Sequence, residues 1–224
     1  MNLARWIPSR RALRIAALLP VAAVLVAGPA TVAGAQDAAA PTPLALGKTA
    51  PMADVKMKDT NGKLVSIADA KGAKGTLVVF TCNACPWAKK WEERIVKLGN
   101  DAGKKGIGMI AINANDPGRN PEDGYDVMVT RAKSRGMKYA YAVDGTSDIA
   151  RAFGASRTPE AFLFDAKGVL VYHGAIDDNA DDPKAVKQPY LATAVNAVAA
   201  GKAVPVTETK ALGCGIKFRS KGAS

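Results

Sequence analysis

Two cysteines separated by two residues, Cys82 and Cys85, are the strongest candidates for chemistry in this sequence. They follow the apolar run 76–80, which predicts a buried strand, and precede residues 88–98, whose apolar positions recur with helical spacing. The start of a helix offers unpaired N–H groups and positive potential, which stabilise a thiolate and lower its pKa. The spacing therefore predicts a redox-active pair. In this interpretation Cys82, nearer the helix end, is the nucleophile, and Cys85, one turn into the helix, is the resolving thiol.

Two other interpretations of the cysteine pair are weaker. An inert disulfide between Cys82 and Cys85 would close a very short loop and would restrict the unfolded chain little. A zinc site would need further ligands, and Cys214 and His173 are the candidates because the chain holds three cysteines and one histidine. Neither stands in a second close pair of ligands, so we predict no metal and no cofactor.

The loop Arg157–Glu160 contains a proline directly before the apolar run 161–164, which predicts another strand. A proline that opens a strand is a natural place for a cis peptide bond. In a redox fold this loop would face the dithiol, and Thr158 and Pro159 would present backbone groups to an incoming peptide or disulfide. The loop sequence alone is equally compatible with an ordinary proline before a strand.

The remaining pattern predicts a mixed-sheet α/β sandwich that would position these residues. Residues 53–67 predict a hairpin, because Asn61 and Gly62 form a strong tight-turn signal. Strands and helices alternate after this hairpin, and a strand pair and a last helix follow. The predicted strands cover 76–80, 106–112, 139–143, 161–164 and 169–172, and the predicted helices cover 88–98, 122–135, 146–153 and 190–200.

Two motifs resemble the thioredoxin-like superfamily, namely Phe80–Trp87 around the cysteine pair and Thr158–Asp165. Within that superfamily the chain resembles the bacterial peroxiredoxin-like proteins grouped with the alkyl hydroperoxide reductase and thiol-specific antioxidant, or redoxin, domain. The resemblance extends from about Gly47 to Phe218. Further stretches that fit this group are Asn113–Asp116, Pro121–Asp123, Val171–Asp178 and Gly213–Lys217.

The resemblance implies a thioredoxin fold with a central mixed β-sheet flanked by helices, here extended by the N-terminal β-hairpin. It also implies that Cys82 and Cys85 form the redox pair and that Pro159 is a cis-proline opposite them. The chain departs from true peroxiredoxins, whose reactive cysteine follows a Pro-x-x-x-Thr/Ser-x-x pattern. Counted back from either cysteine, both the proline and the hydroxyl residue of that pattern are missing.

These features predict an exported thiol–disulfide oxidoreductase. Its partners would be protein thiols or disulfides and an unidentified electron donor. A thiol-dependent peroxidase with antioxidant activity is the alternative, since a small peroxide could oxidise Cys82 or Cys85 to a sulfenic acid with which the other would condense. A copper-binding chaperone is a further alternative, although thioredoxin-fold copper chaperones usually space their two cysteines by three residues.

Cys214 is left over when Cys82 pairs with Cys85. It is either a buried, inert thiol that packs the C-terminal tail against the domain, or a second resolving thiol that receives the disulfide from the active pair. The flanking Gly213 and Gly215 would let this segment approach another backbone closely. The inert interpretation is favoured here, because tail cysteines that lack a near partner seldom prove catalytic.

The first 35 residues predict a secretory signal peptide. Four arginines precede or begin the apolar run 15–27, Ala33–Ala35 supplies the small residues of a cleavage site, and the run is too short to span a membrane. The predicted organisation is then a flexible leader over 36–46, a thioredoxin-like domain over 47–205 and a tail over 206–224 that carries the third cysteine.

The net charge of the whole chain, +11, overstates the basicity of the exported form. Residues 1–35 hold four arginines and no acidic residue, so their removal leaves +7. The remaining lysines are dispersed, and no dense basic tract alternates with aromatic residues, which argues against a nucleic-acid partner. We therefore predict a periplasmic or secreted protein without stable membrane insertion after cleavage.

Overall fold

A seven-stranded mixed β-sheet forms the centre of residues 42–220, the part of the chain that the computed structural model describes. Its strands are β1 (Met57–Asp59), β2 (Leu64–Val65), β3 (Gly75–Phe80), β4 (Ile107–Asn113), β5 (Ala140–Val143), β7 (Glu160–Asp165) and β8 (Leu170–Gly174), while β6 (Arg157–Thr158) and β9 (Cys214–Gly215) form a separate pair. The spatial order is β2-β1-β5-β4-β3-β7-β8. β3, β4 and β5 are parallel, and the remaining pairings are antiparallel.

Four α-helices cover the two faces of this sheet. They are α1 (Pro86–Ala102), α2 (Tyr125–Ser134), α3 (Asp148–Ala152) and α4 (Tyr190–Ala199). On one face, Trp91 of α1 and Leu191 of α4 pack in one core cluster with Leu77 of β3. Within residues 42–220, no helix combines the length and the apolarity that crossing a membrane requires.

The opposite face of the sheet carries an aromatic cluster beside α3. Phe153, which ends α3, makes edge-to-face contacts with Phe80 of β3 and Phe162 of β7, with ring centroids 5.2 Å apart in both pairs. Every residue of β3 is buried, since helices and aromatic rings cover both of its sides. This explains why β3 reads in sequence as a continuous apolar run rather than an alternating one.

The observed elements confirm the predicted thioredoxin fold and its N-terminal hairpin, in which β1 and β2 pair around the Asn61–Gly62 turn. The predicted helix over 122–135 is wrong at its start. A short 3-10 helix, Pro121–Asp123, precedes α2, and the extended backbone of Gly124 separates the two. Glu122 and Asp123 therefore belong to a separate turn and not to the first turn of α2.

A pairing that the sequence analysis did not predict joins β6 and β9. They are antiparallel, and Thr158 stands opposite Cys214 while Arg157 stands opposite Gly215. The chain reaches this position after passing β8, where the backbone of His173 exchanges hydrogen bonds with the segment 207–209. The predicted tail is thus docked onto the rest of the described chain through two sets of backbone contacts. Residues 1–41 and 221–224, which include the predicted signal peptide and most of the leader, lie outside the described residues.

Candidate active site

The loop between β3 and α1 carries Cys82 and Cys85 at the N-terminus of a 17-residue helix. Helix α1 begins at Pro86, and Cys85 is its N-cap residue with extended backbone angles of φ −67° and ψ 122°. Proline lacks an N–H and suits the first helical position, which fixes the start of the helix there. The expectation that Cys85 lies one turn inside the helix is therefore wrong. Cys85 itself occupies the helix end, and Cys82 precedes it.

Both thiols contact Thr158 on the neighbouring loop. The Sγ atom of Cys82 lies 3.3 Å from Thr158 Oγ1, and the Cys85 thiol donates to the carbonyl oxygen of Thr158 at 3.2 Å. The peptide bond that follows, between Thr158 and Pro159, is cis. The prediction of a cis-proline loop facing the cysteine pair is confirmed. Each cysteine is only 4% exposed, and both line a surface cavity of about 360 Å³.

A buried carboxylate holds the cysteine loop in place. Asp123 Oδ1 accepts the backbone N–H groups of Asn83 at 2.7 Å and of Ala84 at 3.0 Å. Its other oxygen, Oδ2, accepts the side-chain amide of Asn115 at 2.8 Å. Hydrogen bonds to a charged acceptor are stronger than neutral ones, so the conformation of the two residues between the cysteines depends on Asp123.

Two further buried residues complete this polar network. The hydroxyl of Tyr141 donates to Asn83 Oδ1 at 2.9 Å, and Asn83 Nδ2 donates to the carbonyl of Glu122 at 2.9 Å. Asn113, the last residue of β4, donates to the carbonyl of Asp123 at 3.1 Å. Sequence reasoning assigned no role to Asp123, Asn83 or Tyr141. The sequence did contain one indication of a polar site here, because Asn113 is a polar residue at the carboxyl end of a buried strand.

The two thiols shift each other's pKa in opposite directions. Interaction with the Cys82 side chain is the largest influence that lowers the pKa of Cys85, and the side chain of Cys214 and the backbone amides of Ala88 and Cys214 lower it further against the cost of burial. The pKa of Cys82 is raised by the reverse interaction with Cys85, by burial and by the negative charge of Asp123. The helix N-terminus acts in the same sense on Cys85, because its positive potential stabilises a thiolate.

Cys214 lies beside this pair. Its side chain packs against the cluster formed by Cys82, Cys85 and Ala88. Burial, followed by the interaction with Cys85, raises the pKa of Cys214 itself. Cys214 is partly exposed and lines the same cavity as the other two cysteines. The premise that this cysteine lacks a near partner is therefore wrong.

Two basic residues, Arg119 and Lys217, are among those that line this cavity. The backbone N–H of Lys217 donates to Asn115 Oδ1 at 2.9 Å, which ties the tail to the polar network below the cysteines. The cavity walls also include Pro86 and Gly215. A small disulfide that entered this cavity would therefore meet basic residues as well as the acidic Asp123, which also lines it.

His173 does not join the cysteines. It lies in β8 and lines a second cavity of about 540 Å³, with its Nε2 atom 3.9 Å from Glu160 and its Nδ1 atom 4.0 Å from Glu208. Among the residues that the structure describes, no group of three or more histidine, cysteine or acidic side chains could hold a metal ion. Of the four metal ligands considered from the sequence, Cys214 thus lies beside Cys82 and Cys85, but His173 does not.

The parallel strands, the cysteine loop before α1 and the facing cis-proline define a thioredoxin-like oxidoreductase. The chain belongs to the redoxin family, whose model matches residues 45–188, more than half of its length. It is similar to the structure of a hypothetical protein from Sinorhizobium meliloti 1021, with 34% identity, a TM-score of 0.73 and coverage of 80% of this chain and 97% of that one.

A curated relative supports the same class of protein, and a further solved structure has the same fold. The thiol–disulfide oxidoreductase ResA of Bacillus thuringiensis subsp. konkukian is 27% identical over 127 residues, which cover 56% of this chain and 67% of ResA. The solution structure of a thioredoxin-like protein in its oxidised form has 18% identity and a TM-score of 0.56, covering 71% of this chain and 99% of that one. The second similarity concerns the fold alone.

Proposed function

We propose that this protein is a thiol–disulfide oxidoreductase in which Cys85 is the nucleophile and Cys82 a resolving thiol. This reverses the roles expected from the sequence. The observation that carries the proposal is the position of Cys85 as N-cap residue of α1, in contact with the cis-proline loop and with donors on its sulfur. A thiolate at such a position is both stabilised and correctly placed to attack.

The reaction exchanges one disulfide for another. The Cys85 thiolate attacks a sulfur of a partner disulfide, so that a bond from Cys85 to that sulfur forms and the second partner sulfur leaves as a thiolate. Cys82 then loses its proton and attacks the Sγ atom of Cys85. The Cys82–Cys85 bond forms, the mixed disulfide breaks and the partner leaves fully reduced. The partner gains two electrons and the cysteine pair loses two, and every step is reversible.

Thr158 has two roles in this proposal, one in spacing the thiols and one in binding the partner. Its carbonyl and hydroxyl oxygens touch the two sulfurs, so it fixes the distance between the thiols and the cis-proline loop. The backbone of Thr158 and Pro159 would align an incoming chain beside Cys85 once β9, which pairs with Thr158 in this structure, leaves that edge. The low exposure of both cysteines limits access to substrates that enter the cavity.

The named relative supports a disulfide substrate, since ResA is called a thiol–disulfide oxidoreductase. Protein thiols and disulfides are therefore the proposed partners, together with an electron donor of the same chemistry. A thiol-dependent peroxidase is the second candidate, because Cys85 would offer a peroxide a stabilised thiolate. The residue three positions before Cys85 is Cys82 rather than the Thr or Ser of true peroxiredoxins, which favours disulfide exchange.

We also propose that the protein acts outside the cytoplasm. The proposal rests on the signal-like composition of residues 1–35, and determination of the N-terminal residue of the exported protein tests it. Processing after Ala35 is expected. Exported protein that still carries residues 1–35 would contradict the predicted cleavage.

The test of the roles uses variants that retain one cysteine. The Cys82→Ser/Cys214→Ser protein keeps Cys85 alone, and with bis(2-hydroxyethyl) disulfide we expect a stable mixed disulfide, seen as a mass increase that a reductant reverses. The matched Cys85→Ser/Cys214→Ser protein keeps Cys82 and is expected to react far more slowly. Equal or opposite rates would overturn the assignment. Hydrogen peroxide consumption by the reduced protein is measured in parallel. Rapid consumption would favour the thiol-dependent peroxidase over the disulfide exchange.

A further inference from the structure

The segment that carries Cys214 occupies the position in which a substrate chain would lie. β9 pairs antiparallel with β6, and Cys214 stands opposite Thr158, the residue that contacts both Cys82 and Cys85. The backbone edge that the cis-proline loop would present to a partner is thus already paired with the protein's own chain. This chain brings a cysteine to the point where the partner's cysteine would be.

Cys214 both packs against the cysteine pair and lowers the pKa of Cys85. Its side chain packs on the cluster of Cys82, Cys85 and Ala88, and its backbone amide and thiol both act on the Cys85 sulfur. We infer that the segment 213–217 is an internal substrate of the dithiol, and that Cys214 is a second resolving thiol that attacks the Sγ atom of Cys85. The inference rests on the proposed disulfide exchange at Cys85.

The proposed step follows the first attack on a partner disulfide. Cys214 loses its proton to solvent, and its thiolate attacks Cys85 Sγ in the mixed disulfide. The Cys85–Cys214 bond forms, the bond from Cys85 to the partner breaks and the partner leaves as a thiolate that takes up a proton. Cys82 can then attack Cys85 in turn and release Cys214, which moves the disulfide to Cys82–Cys85 without any net oxidation or reduction.

The surroundings of the two resolving thiols favour Cys214 for the first attack. Cys82 is 4% exposed and close to the charge of Asp123, which opposes its ionisation. Burial and Cys85 raise the pKa of Cys214 as well, but Cys214 is partly exposed to the cavity and the positive charge of Lys217 opposes the rise. The thiolate is the attacking species, so both differences act in the same direction.

The docking of this segment depends on a glycine. A Cβ atom on Gly213 would lie 2.2 Å from the carbonyl oxygen of Thr158, whereas one on Gly215 would come no closer than 4.0 Å to any other group. Alanine at 213 must therefore push the segment away from the cis-proline loop. Alanine at 215 is accommodated, which makes the two glycines a matched pair for an experiment.

The experiment identifies which cysteines become linked. The reduced full-length protein is oxidised with bis(2-hydroxyethyl) disulfide, free thiols are alkylated and the protein is digested with trypsin without reduction. Cys82 and Cys85 lie on the tryptic fragment 75–89, and Cys214 lies on 211–217. We expect the Cys82→Ser protein to yield these two fragments linked to each other. We expect Gly213→Ala, added to it, to reduce the linked product strongly and Gly215→Ala to leave it unchanged.

The inference is wrong if the Cys82→Ser protein keeps the small disulfide on Cys85 and an alkylated Cys214. The Cys214→Ser protein separates this failure from that of the proposed function, since it must still form the Cys82–Cys85 disulfide within fragment 75–89. If neither variant forms any disulfide, the proposed exchange at Cys85 fails as well. Near-native circular dichroism of each variant shows that a loss does not come from unfolding.

Discussion

The carboxylate of Asp123 and the backbone of Asn83 meet in a 2.7 Å hydrogen bond beneath the cysteine pair. The same oxygen also accepts the N–H group of Ala84, and both partners lie between Cys82 and Cys85 in the chain. Asp123 is 3% exposed, so its charge acts at short range and with little screening by solvent. One side chain thereby holds the loop in shape and adds to the effects of Cys85 and burial that raise the pKa of Cys82.

Replacement of Asp123 by asparagine should lower the pKa of Cys82. The amide oxygen can still accept the two loop N–H groups, but the negative charge that raises this pKa is lost. The pH profile of iodoacetamide labelling in Cys85→Ser/Cys214→Ser protein, in which Cys82 is the remaining cysteine, measures the shift. Asp126→Asn, an exposed change on α2, serves as the control. A profile that moves equally in both variants, or in neither, contradicts the prediction.

Cys85 should remain reactive at pH values well below 8.5, the ordinary value of a free thiol. Its pKa is lowered chiefly by the Cys82 side chain, so the thiolate persists as the pH falls towards the folded-state value. The rate of iodoacetamide labelling of Cys214→Ser protein, plotted against pH, gives this value. Adding Cys82→Ser should move the midpoint upwards.

The same shift links pH to the stability of the reduced protein. A thiol whose pKa is lower in the folded than in the unfolded state stabilises the fold fully above the unfolded value, and this contribution disappears as the pH falls through the folded value. Urea unfolding of reduced Cys214→Ser and Cys85→Ser/Cys214→Ser proteins over this range measures the difference. We expect the difference in unfolding free energy between the two proteins to decrease as the pH falls from about 9 to about 5. A difference that stays constant over this range would exclude the lowered pKa.

Tyr141→Phe should destabilise the protein and loosen the cysteine loop. The change removes the hydroxyl that donates to Asn83 Oδ1 in a fully buried setting, and an unsatisfied buried acceptor costs about 1–3 kcal/mol. Urea unfolding gives the free energy. Tyr139→Phe is the control, since the Tyr139 hydroxyl makes no hydrogen bond within the described residues. A loss no larger than that of the control would show that solvent replaces the bond.

Asp177→Ala should be strongly destabilising. Asp177 accepts the indole N–H of Trp91 at 2.7 Å and pairs with Arg94, so it ties α1 to the loop after β8. Removing one partner of a buried ion pair leaves the other unpaired and costs about 3–5 kcal/mol. Asp181→Ala breaks the exposed pair with Lys90 and should cost at most about 1 kcal/mol. Thermal or urea unfolding of the two variants, compared side by side, checks the contrast.

The part of the site that depends on local sequence could be predicted. The apolar run of β3, the two-residue spacing of Cys82 and Cys85 and the proline after Thr158 all act over a few positions, and each led to the observed arrangement. Pro86 also marks the first residue of α1, but the sequence analysis placed Cys82, and not Cys85, at the N-terminal end of this helix. That choice exchanged the expected environments of the two thiols.

The part that depends on distant contacts could not be predicted. Asp123 binds the cysteine loop from 39 and 40 positions away, and its role follows from two backbone N–H groups that carry no side-chain signal. The pairing of β9 with β6 involves two residues on each side, too few for any periodic pattern. Cys214 therefore appeared solitary in sequence although the fold places it beside Cys85.

The contact between Cys214 and Cys85 also has a consequence for the order of folding. It closes a loop of roughly 130 residues, and contacts at such separation pay a large entropic cost before they bring any gain. Cys82 and Cys85 are separated by only two residues, and Asp123 holds their loop from 39 and 40 positions away, so these contacts form at much smaller separations than the contact with the tail. We therefore expect newly folding molecules to pass through a stage with two available thiols, during which an oxidant would link Cys82 to Cys85 and leave Cys214 reduced.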